Sequence, residues 1–194
     1  EDFIFNEEIT YSKLNKKSLD ALVRSTALSP LVDSRFSGMK HFWMAIAFDR
    51  PRKEKNLIEN IEMYRSEGEF SEEETISNLV ELTGMFPMEL VMSEEIKEKL
   101  ASMYVPPISE YDPDLKVTWF IPRELKRKKT KKGKTFYVLK VIDSNNELST
   151  IRCWGVNPEK DKVFLNRPYM ANLDWNPQWG FSTRSIKRMF KLLA

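Results

Sequence analysis

The chain has 194 residues, 41% apolar and 31% charged, which is room for one large or two small domains around a packed core and excludes a disordered tail. No run approaches the roughly 20 apolar residues of a bilayer span, so no membrane segment is expected. The net charge of +2 conceals a split: residues 1–112 hold 13 Lys+Arg against 22 Asp+Glu, and residues 113–194 hold 18 against 7.

That asymmetry predicts two units with different partners, the basic half being the one suited to a polyanion. One Cys (Cys153) and one His (His41) exclude an internal disulfide and argue against a zinc site, which wants about four ligands. Cys153 reads as a packing residue and His41 as an ordinary packed or surface histidine, and the single Cys fits a reducing, cytoplasmic setting. The start, Glu1-Asp2-Phe3-Ile4-Phe5, has neither an initiating Met nor a basic stretch. The expectation is a piece of a longer protein without a secretory signal.

In chain order, Leu19, Leu22 and Val23 predict a helix over 16–28, stopped by Pro30. Met39, Phe42, Trp43 and Ile46 predict a second over 38–49 and a buried stripe rather than a cofactor box. A third covers 53–65. Ser71-Glu72-Glu73-Glu74 is a capping-box signature, so the triple Glu reads as a helix start and not as a metal site. Ile76, Leu79 and Val80 supply that helix's buried face. A fifth helix runs from Ser93 to Met103, with Ile96, Leu100 and Met103 inward.

Val105-Pro106-Pro107-Ile108 must be extended, and Asp112-Pro113 prolongs the break. The boundary is therefore set in this stretch, giving domains 1–108 and 109–194. Beyond it the periodicity changes. Strands are predicted over 117–121, 136–142, 148–154, 168–173 and 179–187. Five short strands with an irregular link between the third and fourth predict an α+β chain: a small all-α domain followed by a five-stranded OB-fold barrel.

The densest feature is residues 123–134, where eight of twelve are Lys or Arg: Arg123, Lys126, Arg127, Lys128, Lys129, Lys131, Lys132 and Lys134. On the expected frame they form the end of strand one and the first hairpin loop, beside the ligand groove of such a barrel. Aromatics are interleaved with the charge. Tyr137 and Trp154 lie on strands, while Trp175 and Trp179 flank the loop between strands four and five. Exposed rings stack bases and cations track phosphates, so these residues and Arg152 are the candidate nucleic-acid contacts. There is no P-loop, Ser-His-Asp arrangement or metal-ligand spacing, which disfavours a free-standing enzyme.

Two patches resemble the alpha subunit of bacterial DNA polymerase III, the C-family polymerases with their phage versions. One is Glu1-Asp2-Phe3-Ile4 followed by Leu14-Asn15-Lys16-Lys17-Ser18-Leu19-Asp20-Ala21-Leu22-Val23-Arg24-Ser25-Thr26-Ala27-Leu28. It resembles the segment after that family's helix-hairpin-helix, although the family's Gly is Thr26 here. The other is Thr130-Lys131-Lys132-Gly133-Lys134-Thr135-Phe136, continuing through Val141-Ile142-Asp143 to Ile151-Arg152-Cys153-Trp154, similar to the first hairpin of the family's OB domain. Together they match about 45 residues; residues 165–194 match loosely.

The resemblance implies a parent that synthesises DNA with Mg, through carboxylates that this piece lacks. It implies a non-catalytic, cytoplasmic fragment whose OB domain holds single-stranded template, with the helical domain near duplex product, a sliding clamp or another replication protein. The nearest clamp-type segment, Leu82-Thr83-Gly84-Met85-Phe86, offers Met85 and Phe86 but lacks the family's Gln. Two other readings stay open: a protein-interaction module that docks a clamp or another replication protein, and an RNA-binding OB domain.

Overall fold

A computed structural model describes residues 14–157, 160–184, 186 and 190–193. The Glu1–Ile4 start of the first family patch lies outside them. The fold is α+β, and the chain divides into two compact units, Glu1–Phe86 and Pro87–Ala194.

The first unit is helical. Helix α1 (Lys16–Arg24) begins where Asn15 Oδ1 accepts the Ser18 N–H at 2.8 Å, and it buries Leu19 and Val23 one turn apart. It stops four residues short of the expectation because Thr26 takes a left-handed φ of +65° and Pro30 opens a 3₁₀ turn. The expected helix 38–49 is two pieces: α2 (Met39–Trp43) runs into a π-helical turn, Met44–Phe48. Gly38 precedes α2 under tight constraint, since a Cβ there would meet Gly68 backbone atoms at 2.6 Å. Helices α3 (Glu54–Met63) and α4 (Glu72–Thr83) follow. The capping box is present: the Glu74 N–H donates to Ser71 Oγ, and the Ser71 N–H donates to Glu74 Oε2. Leu19, Val23, Phe42, Ala45, Ile46, Leu57 and Ile61 form the core. His41 is fully buried beside it, its Nδ1 accepting the Ser37 N–H at 2.9 Å and its Nε2 lying 2.8 Å from the Ile61 carbonyl. It is a packed histidine.

The second unit starts earlier than the predicted 108/109 boundary and includes α5 (Glu94–Ser102). Of α5's expected inward residues Leu100 is buried, but Met103 is exposed. The Pro-rich segment is extended at Pro107 as predicted, but Ile108 opens a 3₁₀ turn (Ile108–Glu110); Pro107 pairs with Trp119, and the Pro106 carbonyl accepts the Trp119 N–H at 3.0 Å.

Among the described residues seven strands follow where five were expected: β1 (Val117–Lys129), β2 (Thr135–Ile142), β3 (Ser149–Cys153), β4 (Tyr169–Asn172), β5 (Asp174–Asn176), β6 (Gly180–Thr183) and β7 (Phe190–Leu192). They form one mixed sheet in the order β5-β6-β3-β2-β1-β4-β7, antiparallel except for the β3–β6 pair. The predicted strand 179–187 is thus shorter, and its residues 185 and 187 lie outside the described set. β4 and β5 are separated by Leu173 alone, so strands near opposite ends of the order are consecutive in the chain and the sheet curls round. β1 serves two neighbours, β4 through residues 117–120 and β2 through 121–129. The register shift between Pro122 and Glu124 is a bulge that bends the long strand, with Arg123 as the extra residue. Inside the curl lie Phe120, Tyr137, Leu139, Val141, Ile151, Cys153, Tyr169, Ala171 and Leu173.

Among the described residues, no helix is long and apolar enough to cross a membrane, and no cluster of three or more His, Cys, Asp or Glu side chains could hold a metal ion.

Candidate nucleic-acid interface

Alternation decides which side chains reach the surface. On β2, Tyr137, Leu139 and Val141 point inward, so Phe136, Val138 and Lys140 share the outer face. On β3, Ile151 and Cys153 are buried and Arg152 points outward, with Trp154 next in that alternation. The register then extends these into rows. Lys126 lies opposite Val138, and Val138 opposite Arg152; Glu124 lies opposite Lys140; Lys128 lies opposite Phe136. The outer face of β1–β3 therefore carries Lys126, Lys128, Lys140, Arg152 and two aromatic rings.

The rings are organised. Phe136 and Trp154 stack with centroids 4.5 Å apart and an interplanar angle of 25°, and Trp154 keeps 37% of its surface exposed. Phe136 and Lys140 lie outside the residues singled out from sequence. Pairing register was the missing signal, since it alone puts Phe136 beside Trp154 and Lys140 beside Glu124.

The Lys-rich loop is a tight hairpin. The Thr130 N–H donates to the Lys134 carbonyl at 2.8 Å, and the Gly133 N–H donates to the Thr130 carbonyl at 2.9 Å. Gly133, at φ +77°, supplies the left-handed residue that closes a three-residue hairpin turn. Thr130 Oγ1 accepts the Lys134 N–H at 3.1 Å. Lys131, Lys132 and Lys134 are held exposed at the tip. Arg127 and Lys129 fall on the opposite ribbon face from Lys126 and Lys128, so the arm is cationic on both sides.

Two of the cations have carboxylate company. Glu124 accepts from Lys126 at 2.6 Å and from Lys140 at 2.8 Å. Those two bonds, Lys126 first, hold its carboxyl down at about 2. Arg123 does not belong with the hairpin lysines. It occupies the bulge, its guanidinium donates to Asn166 Oδ1, and burial pulls its pKa below the ordinary value. Its role there is to fix the bulge.

Tyr137 is only 5% exposed and belongs to the core, so it presents no ring for stacking. Arg152 is half-buried, and its Nη1 donates to the Trp179 carbonyl, tying β3 to the β5–β6 turn. In that turn Asn176 Oδ1 accepts from the N–H groups of Gln178 at 2.9 Å and Trp179 at 3.2 Å. Trp179 is 58% exposed. Trp175 is 51% exposed, but it pairs with Phe181, which aligns with Ile151, so it lies on the inner-face row beyond the core. The two tryptophans of this loop thus do not share one face with Trp154. In the first unit, Met85 is exposed and Phe86 buried, so the segment does not present an apolar-aromatic pair.

The structure therefore assembles one surface: the outer face of β2–β3, bounded by the hairpin tip and by the β5–β6 turn. It presents exposed lysines and the exposed rings of Trp154 and Trp179. No protein-family model, characterised protein or solved structure matches this chain.

Proposed function

We propose that the second unit is an OB-type barrel that binds single-stranded DNA, as a non-catalytic part of a C-family replicative DNA polymerase, the polymerase III alpha type. The barrel reading is supported by connectivity. β1, β2 and β3 form an antiparallel meander, β6 returns parallel to β3, and the 169–176 stretch joins β6 to β1. Such barrels take oligonucleotides on the face of their second and third strands, between the first hairpin loop and the loop before the last strand.

The observation that carries the reading is the placement of the hairpin lysines and of Trp179 on either side of the face that holds Arg152, Phe136 and Trp154. A flexible single strand fits this surface, because its phosphates can follow the lysines while its unpaired bases reach the rings. The parent's Mg chemistry would belong to other parts of that protein.

The test compares labelled oligo-dT, oligo-U and a duplex of equal length in fluorescence anisotropy with the full chain. Tightest binding of oligo-dT is the expected result. Preference for oligo-U would move the reading to an RNA-binding barrel, and preference for the duplex would overturn the single-strand assignment. Replacing Trp179 by Ala should weaken oligo-dT binding while leaving its salt dependence nearly unchanged.

A protein-docking reading has one observation in its favour. Leu90, Val91, Ile96, Phe164 and Pro168 line an open, largely apolar groove of about 560 Å³ in the second unit. Capture of a sliding clamp by the full chain, with no oligonucleotide binding, would favour that reading.

A further inference from the structure

We propose that Trp154 is the floor of a single-nucleotide subsite, where one unpaired base of the bound strand lies on its exposed ring and Lys134 meets that nucleotide's phosphate. This rests on the single-stranded DNA reading above and adds the place where one base is gripped.

The first support is rigidity. Trp154 leaves β3 with its N–H donating to the Thr183 carbonyl at 2.8 Å, and one side of the indole is covered by the Phe136 stack. A ring held on both counts loses little freedom when a base settles on it, which is the condition for stacking to contribute fully. The second support is space. Trp154 lines an open groove of about 600 Å³ together with Thr130, Lys134, Thr135 and Asn157. That volume falls within the roughly 300–1,000 Å³ of ordinary ligand sites. The third is charge. Lys134 is exposed at the groove wall, and Lys128 lies opposite Phe136 in the adjoining row.

The other tryptophans of the second unit lack this combination. Trp119 is buried, Trp175 lies on the inner-face row, and Trp179 rides a turn. A purely structural account of the Phe136–Trp154 pair, as a cover for the base of the hairpin, predicts that changing Trp154 alters stability and leaves binding untouched.

The experiment uses the full chain and oligo-dT. Ultraviolet crosslinking of a 5-bromodeoxyuridine oligonucleotide, mapped by mass spectrometry, should place an adduct on Trp154. Trp154→Ala should weaken oligo-dT binding by roughly 5- to 100-fold and leave the salt slope in place. Trp154→Phe, which keeps an aromatic ring against Phe136, should weaken it much less. Lys134→Ala should flatten the salt slope by about 0.7. Adducts confined to Trp175 and Trp179, in a chain that binds oligo-dT, would overturn the subsite and leave the broader reading standing. So would a Trp154→Ala protein that melts like the wild type and binds within about twofold of it. Failure of the wild type to bind oligo-dT at low salt would overturn both.

Discussion

Thr26 sits in the left-handed region at φ +65°, a conformation that a β-branched residue adopts at a cost of order 1–3 kcal/mol. Its N–H still donates to the Val23 carbonyl at 2.9 Å, so the turn after α1 is built in the way a Gly would build it. Thr26→Gly should therefore raise stability by about 1 kcal/mol, part of the relieved strain being offset by the greater freedom of Gly in the unfolded chain. A shift of the urea midpoint to higher concentration checks this; an unchanged or lower midpoint contradicts it. Cys153 makes the opposite kind of statement. Complete burial in the curled sheet pushes its thiol up to about 12. The folded chain should resist a thiol reagent at pH 8 and react promptly once unfolded, because the thiolate is the nucleophile. Labelling of the native chain at the unfolded rate would show that the strand is not closed over it. The packing role of Cys153 was readable from its apolar run. That Thr26 would take a left-handed φ was not, since a β-branched residue type argues against that conformation.

Helix starts were the most legible elements. Ser71 and Glu74 announce their capping box through side-chain chemistry at fixed spacing, and the structure has both bonds. Ser71→Ala should cost roughly 0.5–2 kcal/mol in a denaturant titration, with the loss confined to the first unit. The break inside the 38–49 helix was not legible, because a π-helical turn changes the hydrogen-bond partner (the Asp49 N–H donates to the Met44 carbonyl) while hardly altering the apolar period. β1 was read too short for a related reason. Pro122 and the charged run after it look unlike a strand, yet a bulge tolerates the Pro and the ladder continues to Lys129. That bulge also decides the fate of Arg123, and the alternation of β2 decides that of Tyr137. Tyr137 has the right chemistry for nucleic acid and a core facing, which a one-residue shift in register controls, while Arg123 is half-buried and donates to Asn166.

On the same face, Glu124 is a built-in brake on two lysines. Its carboxyl is held at about 2, below the ordinary 4.5, by Lys126 and Lys140. A carboxyl lowered in the folded state contributes stability above its ordinary value and loses it as pH falls through the lowered one. NMR titration should accordingly find Glu124 still ionised at pH 4. Glu124→Gln should release both lysines, tighten oligo-dT binding a few-fold at low salt and steepen its salt dependence. Unchanged affinity would mean that Lys126 and Lys140 lie off the path of the strand.

Over the whole molecule, the charge split seen in the sequence does not follow the two units: residues 87–112, with six Asp+Glu against two Lys, belong to the second unit, whose curled sheet carries the exposed lysine hairpin. The hairpin was legible because Thr-Lys-Lys-Gly-Lys, a polar stretch with Gly133 near its end, leads straight into the β-branched and aromatic run that opens at Thr135. The unit boundary was misplaced because the Pro-rich stretch looks like a linker. In the fold it pairs beside β1, and Ile108 enters the core. A cationic hairpin that draws a single strand onto the β2–β3 face, as proposed, displaces counterions from the strand, and salt dependence reads that displacement. Anisotropy of labelled oligo-dT with the full chain, repeated across salt concentration, should show affinity falling linearly on a log–log plot. The Lys131→Ala, Lys132→Ala double variant should flatten that slope by about 1 to 1.5, each phosphate contact on a single strand contributing about 0.7. Absence of binding at low salt, or a slope identical in wild type and double variant, would contradict the account.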